Sequence, residues 1–156
     1  MNIDINELEG KETNEKFDII SDEVYNRHID YENIESFENP LKNLIYLLNM
    51  QGQVDNGGVT QFVDNATGDN FIETKIALKE IGMESYHDIL LEIEKSFPNS
   101  IVPKNQEKRR DAIDNMSKTD EKRWEIEEQY ENYDNLFYEK EDEFKSRFVE
   151  YFMTFK

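Results

Sequence analysis

The sequence contains no cysteine. Disulfides, thiolate nucleophiles and cysteine-built metal centres are therefore excluded. Only two histidines are present, His28 and His87, so a structural zinc site has too few soft ligands. No run approaches the roughly 18 consecutive apolar residues of a membrane span. The opening residues Met1-Asn2-Ile3-Asp4-Ile5 are acidic and lack the apolar stretch of a signal peptide, so a cytoplasmic location is expected. Nucleotide-binding, hydrolase and metalloprotease signatures are all missing: no Walker loop, G-x-G-x-x-G, G-x-S-x-G or H-E-x-x-H occurs. No catalytic residue, metal ligand or cofactor is assigned. Asp64 to Asp69 has the look of a calcium loop but fails in frame, with Ala66 and Gly68 at ligand positions. Alternating strand patterns, repeats and coiled-coil heptads are absent as well.

Positive charge is scarce. Eighteen basic residues face thirty-six acidic ones, a formal net charge of −18. Such a field repels nucleic acids and anionic membranes and attracts basic protein surfaces. Aromatic residues make up 12% of the chain, which argues for a packed core despite the charge. Carboxylates are so plentiful that proposing any two as an acid–base pair carries no information.

The most apolar stretch is Leu41 to Leu48. Leu41, Leu44, Ile45 and Leu48 share one helical face, and Tyr46 and Leu47 widen it, as in a helix buried on most sides. Asn39 reads as its N-cap and Pro40 as its first residue. Asn56-Gly57-Gly58 reads as its end, followed by a short helix carrying Val59, Phe62 and Val63. The residues Asn56, Gly57, Gly58, Val59, Gln61, Phe62, Asn65 and Gly68, then Ile81-Gly82 and Phe97-Pro98, resemble a bacterial all-α family of unknown function. That family includes an acidic DNA-mimic protein. The similarity runs from about Leu41 to Phe152, with Val59 where an aromatic residue is expected. It implies an all-α fold and a protein that covers the DNA-contacting surface of a helix-turn-helix transcription factor.

Residues 1–14 read as an acidic, flexible leader and 15–156 as one helical domain of six to eight helices around the central apolar one. Residues 1–38 hold twelve acids and three bases, half of the chain's negative excess. From Glu15, a helix presents Phe17, Ile20, Val24, His28 and Tyr31 on one face, with His28 read as a packed histidine. Glu15, Asp18 and Asp22 line another face. Asp69 to Ile81 reads as a helix with Phe71, Ile72, Ile76, Leu78 and Ile81 inward and Gly82 as its stop. Ser85 reads as the cap of the next helix, which Pro98 ends. The one basic patch, Lys104, Lys108, Arg109 and Arg110, reads as internal charge pairing or as a solvated helix face. Thr119 caps a helix with Ile126, Tyr130, Tyr133 and Phe137 inward and Glu121, Glu125 and Glu128 outward. Trp124 falls among those acids, either covered by a neighbour or exposed as an anchor. Phe144, Phe148, Tyr151, Phe152 and Phe155 form a final stripe for the core, or for the core plus a homodimer interface.

The partner-binding set expected from helical spacing is Glu15, Asp18, Asp22, Glu121, Trp124, Glu125 and Glu128. The expected function is a non-enzymatic acidic protein, DNA-mimic-like, that occludes a basic regulator. The alternative is an immunity protein that neutralises a cognate nuclease-type toxin. Neither reading involves direct nucleic-acid or membrane binding.

Overall fold

Apolar residues around a full helical circumference demand neighbours on every side, and helix α2, Leu41–Asp64, has them. Residues 43–51 are buried without interruption. Helices α1 (Thr13–His28), α3 (Phe71–Glu80), α5 (Gln106–Met116) and α6 (Asp120–Glu139) all pack against α2. Helix α4 (Glu84–Ser96) lies on α3, and α7 (Glu141–Met153) lies on α1 and α6. The computed structural model describes residues 5–28 and 31–155, with side chains for 6–26 and 33–155. Among them are seven α-helices, short 3-10 turns and no strand.

An aromatic cluster ties the outer helices together. The Phe144 ring of α7 lies 5.4 Å from Tyr86 of α4, 6.1 Å from Phe17 of α1 and 6.0 Å from Phe148. Phe137 of α6 packs 4.1 Å from Tyr86, whose hydroxyl donates to the Phe137 carbonyl at 2.6 Å. Phe144, Phe148 and Phe152 are buried within the single chain, so the core alone accounts for most of the α7 stripe. Phe155 is exposed.

Several local expectations change. Asn-Gly-Gly does not end α2. Gly57 and Gly58 leave helical geometry, Gly58 at φ +72°, and the helix then resumes to Asp64. The new N-terminus is capped from another helix: the Asp134 carboxylate of α6 accepts the Val59 N–H at 2.6 Å. A Cβ on Gly58 would collide with that carboxylate. Pro40, not Asn39, occupies the N-cap of α2, and no side chain bonds there. Ser85 is not a cap: α4 begins at Glu84, and the Ser85 hydroxyl is buried without a partner. Thr119 does cap α6, accepting the Lys122 N–H at 3.3 Å. Gly82 ends α3 as expected, with the Met83 N–H bonded to Leu78 O at 2.9 Å. Ile72 and Ile76 are exposed, because the buried stripe of this region is Phe71, Thr74, Ala77, Leu78 and Ile81. Asp69 and Asn70 belong to a preceding 3-10 turn, Ala66–Asn70. In the acidic leader, Leu8 is buried in the core. Phe17, Ile20 and Val24 face inward as expected, while the side chains of His28 and Tyr31 lie outside the described residues.

The Gly58–Asp134 contact yields a double-mutant cycle. Gly58→Ala is expected to cost about 2 kcal/mol, from its positive φ and the displaced cap. Asp134→Ala is expected to cost about 1 kcal/mol as a lost cap. In the Asp134→Ala background, Gly58→Ala should cost less than in the parent, since the collision is gone. Urea denaturation of the four proteins measures the coupling; strict additivity would contradict the contact.

Candidate functional site

The turn-rich segment after Gly58 is organised by one buried cation. Arg109 of α5 has no exposed surface. Its guanidinium donates to the carbonyls of Val63 and Asn65 at the end of α2, and to Asp69 at 2.9 Å. It also donates to the carbonyls of Pro103 and Lys104, at 2.8 and 3.1 Å. A cation can be buried when it is hydrogen-bonded and a counter-charge is present; here all three guanidinium nitrogens donate and Asp69 supplies the charge. Gly68 makes room for it: an added Cβ would meet Phe62 O, Val63 O and Arg109 Nε at 2.8–2.9 Å. The Asn65, Gly68 and Asp69 pattern is therefore a receptacle for Arg109.

Two more members of the basic patch are also paired internally. Lys104 bonds Glu73 at 2.9 Å, and Arg110 bonds both oxygens of Asp64 at 2.8 and 2.9 Å. Lys108 is exposed.

The expected contact residues divide by helix. Glu15, Asp18 and Asp22 of α1 are exposed, as are Glu121, Glu125 and Glu128 of α6. Among the described residues, none of these six carboxylates has a cationic group within 4.0 Å. The two rows are not brought together. Helix α1 packs on α7 and α2, and α6 packs on α2 and α7, without substantial α1–α6 contact. Glu15 also has a local role: its carboxylate accepts the Glu12 N–H at 3.1 Å, half of a capping box at the start of α1. Asp18 adds to the negative field around Lys145 of α7. Lys145 bonds Glu141 at 2.6 Å, and that bond, with Asp18 and Asp142 nearby, raises the ammonium pKa.

Helix α6 is the cleaner acidic face. It carries eight acids and two bases. Its inner side is Tyr130 and Phe137, flanked by Ile126 and Tyr133. Trp124 is 72% exposed, so no neighbouring element covers it. It stands within one helical turn of Asp120, Glu121, Glu127 and Glu128.

A family profile described as DMP19-like protein matches residues 35–154. The chain belongs to the DMP19-like protein family. No curated protein and no solved structure matches it. The DMP19-like region contains α2 to α7, including the Arg109 receptacle and the α6 acids, and leaves α1 outside.

Two features of the DMP19-like fold escaped the sequence reading. One is electrostatic: the Asp55 carboxylate of α2 feels the opposed charges of Glu141 and Lys145 of α7. Burial raises the Asp55 pKa; the Gln51 hydrogen bond lowers it and the Glu141 charge raises it. The residues are remote in sequence, and no local pattern announces them. The other is at the start of α4, where Glu84, His87 and Asp88 can each place a ligand atom within 4.8 Å of the others. Glu84 and Asp88 are exposed, and acids in a first helical turn favour the helix dipole without any ion.

Arg109→Met should cost about 3–5 kcal/mol, because it strands Asp69 and leaves four carbonyls without their donor. Arg110→Met, which removes an exposed pair, should cost less than about 1 kcal/mol. Urea midpoints of the two variants test the contrast. The raised pKa of Asp55 sets a pH dependence. The folded state binds this proton more tightly than the unfolded state does, so the group favours folding in acid, and that contribution is lost as pH rises through its folded pKa. Asp55→Asn keeps an acceptor for Gln51 and removes the charge. It should be more stable than the parent at neutral pH, and the advantage should shrink as pH falls through the folded pKa of Asp55. Thermal midpoints across the acid range provide the check.

Proposed function

We propose that the chain is a non-enzymatic acidic binding protein whose α6 face occupies the basic, DNA-contacting surface of a protein partner. The observation that carries this reading is the unpaired row Glu121, Glu125 and Glu128 beside the exposed Trp124. Twenty residues of α-helix rise about 30 Å. Seven of the eight α6 acids are exposed, about one per 4 Å of axis, close to the roughly 3.4 Å phosphate spacing of one DNA strand. Arginine and lysine side chains arranged to grip phosphates can pair with carboxylates at that spacing. Trp124 supplies what a phosphate row lacks, a large apolar anchor for one particular partner. Membership of the DMP19-like family is compatible with this DNA-mimic reading. Glu15, Asp18 and Asp22 form a second, separate acidic face with a subsidiary role. The partner class is a DNA-binding regulator.

Immobilised protein should capture a basic protein from the source cell at low salt and release it on a salt step. The captured protein should lose its DNA when the acidic protein is added. Trp124→Ala should weaken the complex by about 2 kcal/mol, and Glu121→Gln, Glu125→Gln and Glu128→Gln by less than about 1 kcal/mol each, with a shallower salt dependence. The α6 variants should keep the parental thermal midpoint within a few degrees. Capture of a nuclease in place of a regulator would identify a toxin as the occupant. Release of no basic protein at all, or unchanged affinity in the four variants, would overturn the reading.

A further inference from the structure

A small cleft of about 240 Å³ opens beside the acidic face of α6, where that helix meets α2 and α5. Its apolar lining is Val63 and Tyr130, both buried, with Ile113 and Ile126, both half-buried. Most polar groups of the lining are already engaged. The Ser117 hydroxyl donates to Ile113 O at 2.9 Å, and both oxygens of Asp64 accept from Arg110. The Tyr130 hydroxyl is hydrogen-bonded to Ser96, and Arg123 lies 3.7 Å from Asp120. The remaining two, Thr60 and Glu127, are exposed. The cleft therefore suits an apolar group.

Its size narrows the choice. Sites for free small molecules span about 300–1,000 Å³, and this one is smaller. A dry apolar cavity of about 150 Å³ accepts a benzene ring. A cleft of about 240 Å³ has room for one leucine, methionine or phenylalanine side chain.

The charge around the cleft indicates what carries that side chain. Trp124, Glu127, Glu128 and Glu131 fall at i, i+3, i+4 and i+7, one exposed stripe along α6. Glu127 belongs both to this stripe and to the lining of the cleft. Among the described residues it has no cationic group within 4.0 Å. A second copy of the chain brings its own net charge of −18 and is repelled. A segment with arginines or lysines on either side of an apolar residue is attracted.

We propose that the cleft receives one apolar side chain of a basic protein segment, whose neighbouring arginine or lysine residues pair with Glu127 and Glu131. This rests on the α6 reading and adds a specificity element to it. Carboxylates attract basic proteins in general, whereas an apolar socket selects those with a side chain to fill it. The contact is then reciprocal: Trp124 enters the partner, and the partner enters the cleft.

The test is an NMR titration of the ¹⁵N-labelled full chain at low salt with three capped heptapeptides. The first is Lys-Arg-Lys-Leu-Lys-Arg-Lys. The second has alanine in place of leucine, and the third keeps leucine but has serine at every basic position. The first should give saturable shifts at the amides of Val63, Ile113 and Ser117 as well as along Trp124 to Glu131. The second should shift the α6 resonances alone and bind about tenfold more weakly. The third should not saturate. Thr60→Phe places a ring at the cleft from an exposed position. It should keep the thermal midpoint within a few degrees of the parent and reduce the first peptide to the affinity of the second. Equal affinity for the two basic peptides, with shifts along α6 and none at the cleft, would overturn this proposal and leave the α6 reading standing. No shift along α6 with either basic peptide would overturn both. Equal binding of the first and third peptides, or full affinity of the first peptide for Thr60→Phe, would also overturn the proposal. So would concentration-dependent shifts at Val63, Ile113 and Ser117 without peptide, which would place a second copy there.

Discussion

The Arg109 guanidinium is the interaction on which the middle of the molecule depends. Helix α2 ends with carbonyls that have no further helical partner, and those of Val63 and Asn65 point at Arg109. The 3-10 turn supplies the counter-charge through Asp69, and the segment before α5 supplies two more carbonyls. One side chain thus joins a helix end and the turn after it to a loop about 40 residues further along the chain. Removing a charge from water costs several kcal/mol, so the arrangement is tolerable only with a counter-charge and with each guanidinium nitrogen hydrogen-bonded. This explains why a glycine stands at position 68 and an aspartate at 69, while Asn65 contributes its backbone carbonyl. Their backbone and side-chain geometry serves a cation from elsewhere in the chain.

Charge is handled in two ways in this molecule. Near α3 and α5 four acids are paired with the chain's own cations: Glu73 with Lys104, Glu94 with Lys75, Asp64 with Arg110 and Asp69 with Arg109. On the outer side of α6 the acids are not, save for a 3.7 Å contact between Arg123 and Asp120. The negative excess is therefore uneven, and its unpaired part lies on helix faces directed at solvent.

Much of the fold was legible because burial follows helical spacing wherever an element has one apolar stripe. The inner faces of α1, α6 and α7 follow their spacing, with Phe17, Ile20 and Val24, then Tyr130 and Phe137, then Phe144, Phe148 and Phe152 buried. The continuous apolar run of α2 correctly implied a helix surrounded by others. Legibility failed where tertiary partners decide. Ile72 and Ile76 are as apolar as Phe71 and Leu78, and only the packing of α3 on α2 and α4 selects between them. The cap after Gly58 comes from Asp134, 75 residues away, and no local rule finds it. Arg109 sits in a run of charged residues that predicts a solvated helix, yet it is fully buried. The exposure of Trp124 was open in the sequence because its covering or uncovering depends on elements outside α6. The separation of the α1 and α6 rows was not visible either, since spacing within a helix says nothing about which helices are neighbours.

The carboxylates of α6 differ in how well local physics accounts for them. Asp120 and Glu121 lie in the first turn, where a negative charge favours the helix dipole. Asp134 caps a helix. Glu125 and Glu128 have neither role. Each stands within a turn of another acid, Glu121 and Glu125 four residues apart, Glu125 and Glu128 three. Like charges at that spacing cost a few tenths of a kcal/mol per pair, and a lysine at either position would turn the cost into a gain. The same is true of Trp124, which leaves most of a large aromatic surface in water. Small penalties that a single substitution could remove, gathered on one face of one helix, have no compensation inside the chain. A basic partner with an apolar recess would offset both kinds at once, the carboxylates by ion pairing and the indole by burial. The residues least explained by folding are thus the ones that the binding proposal uses.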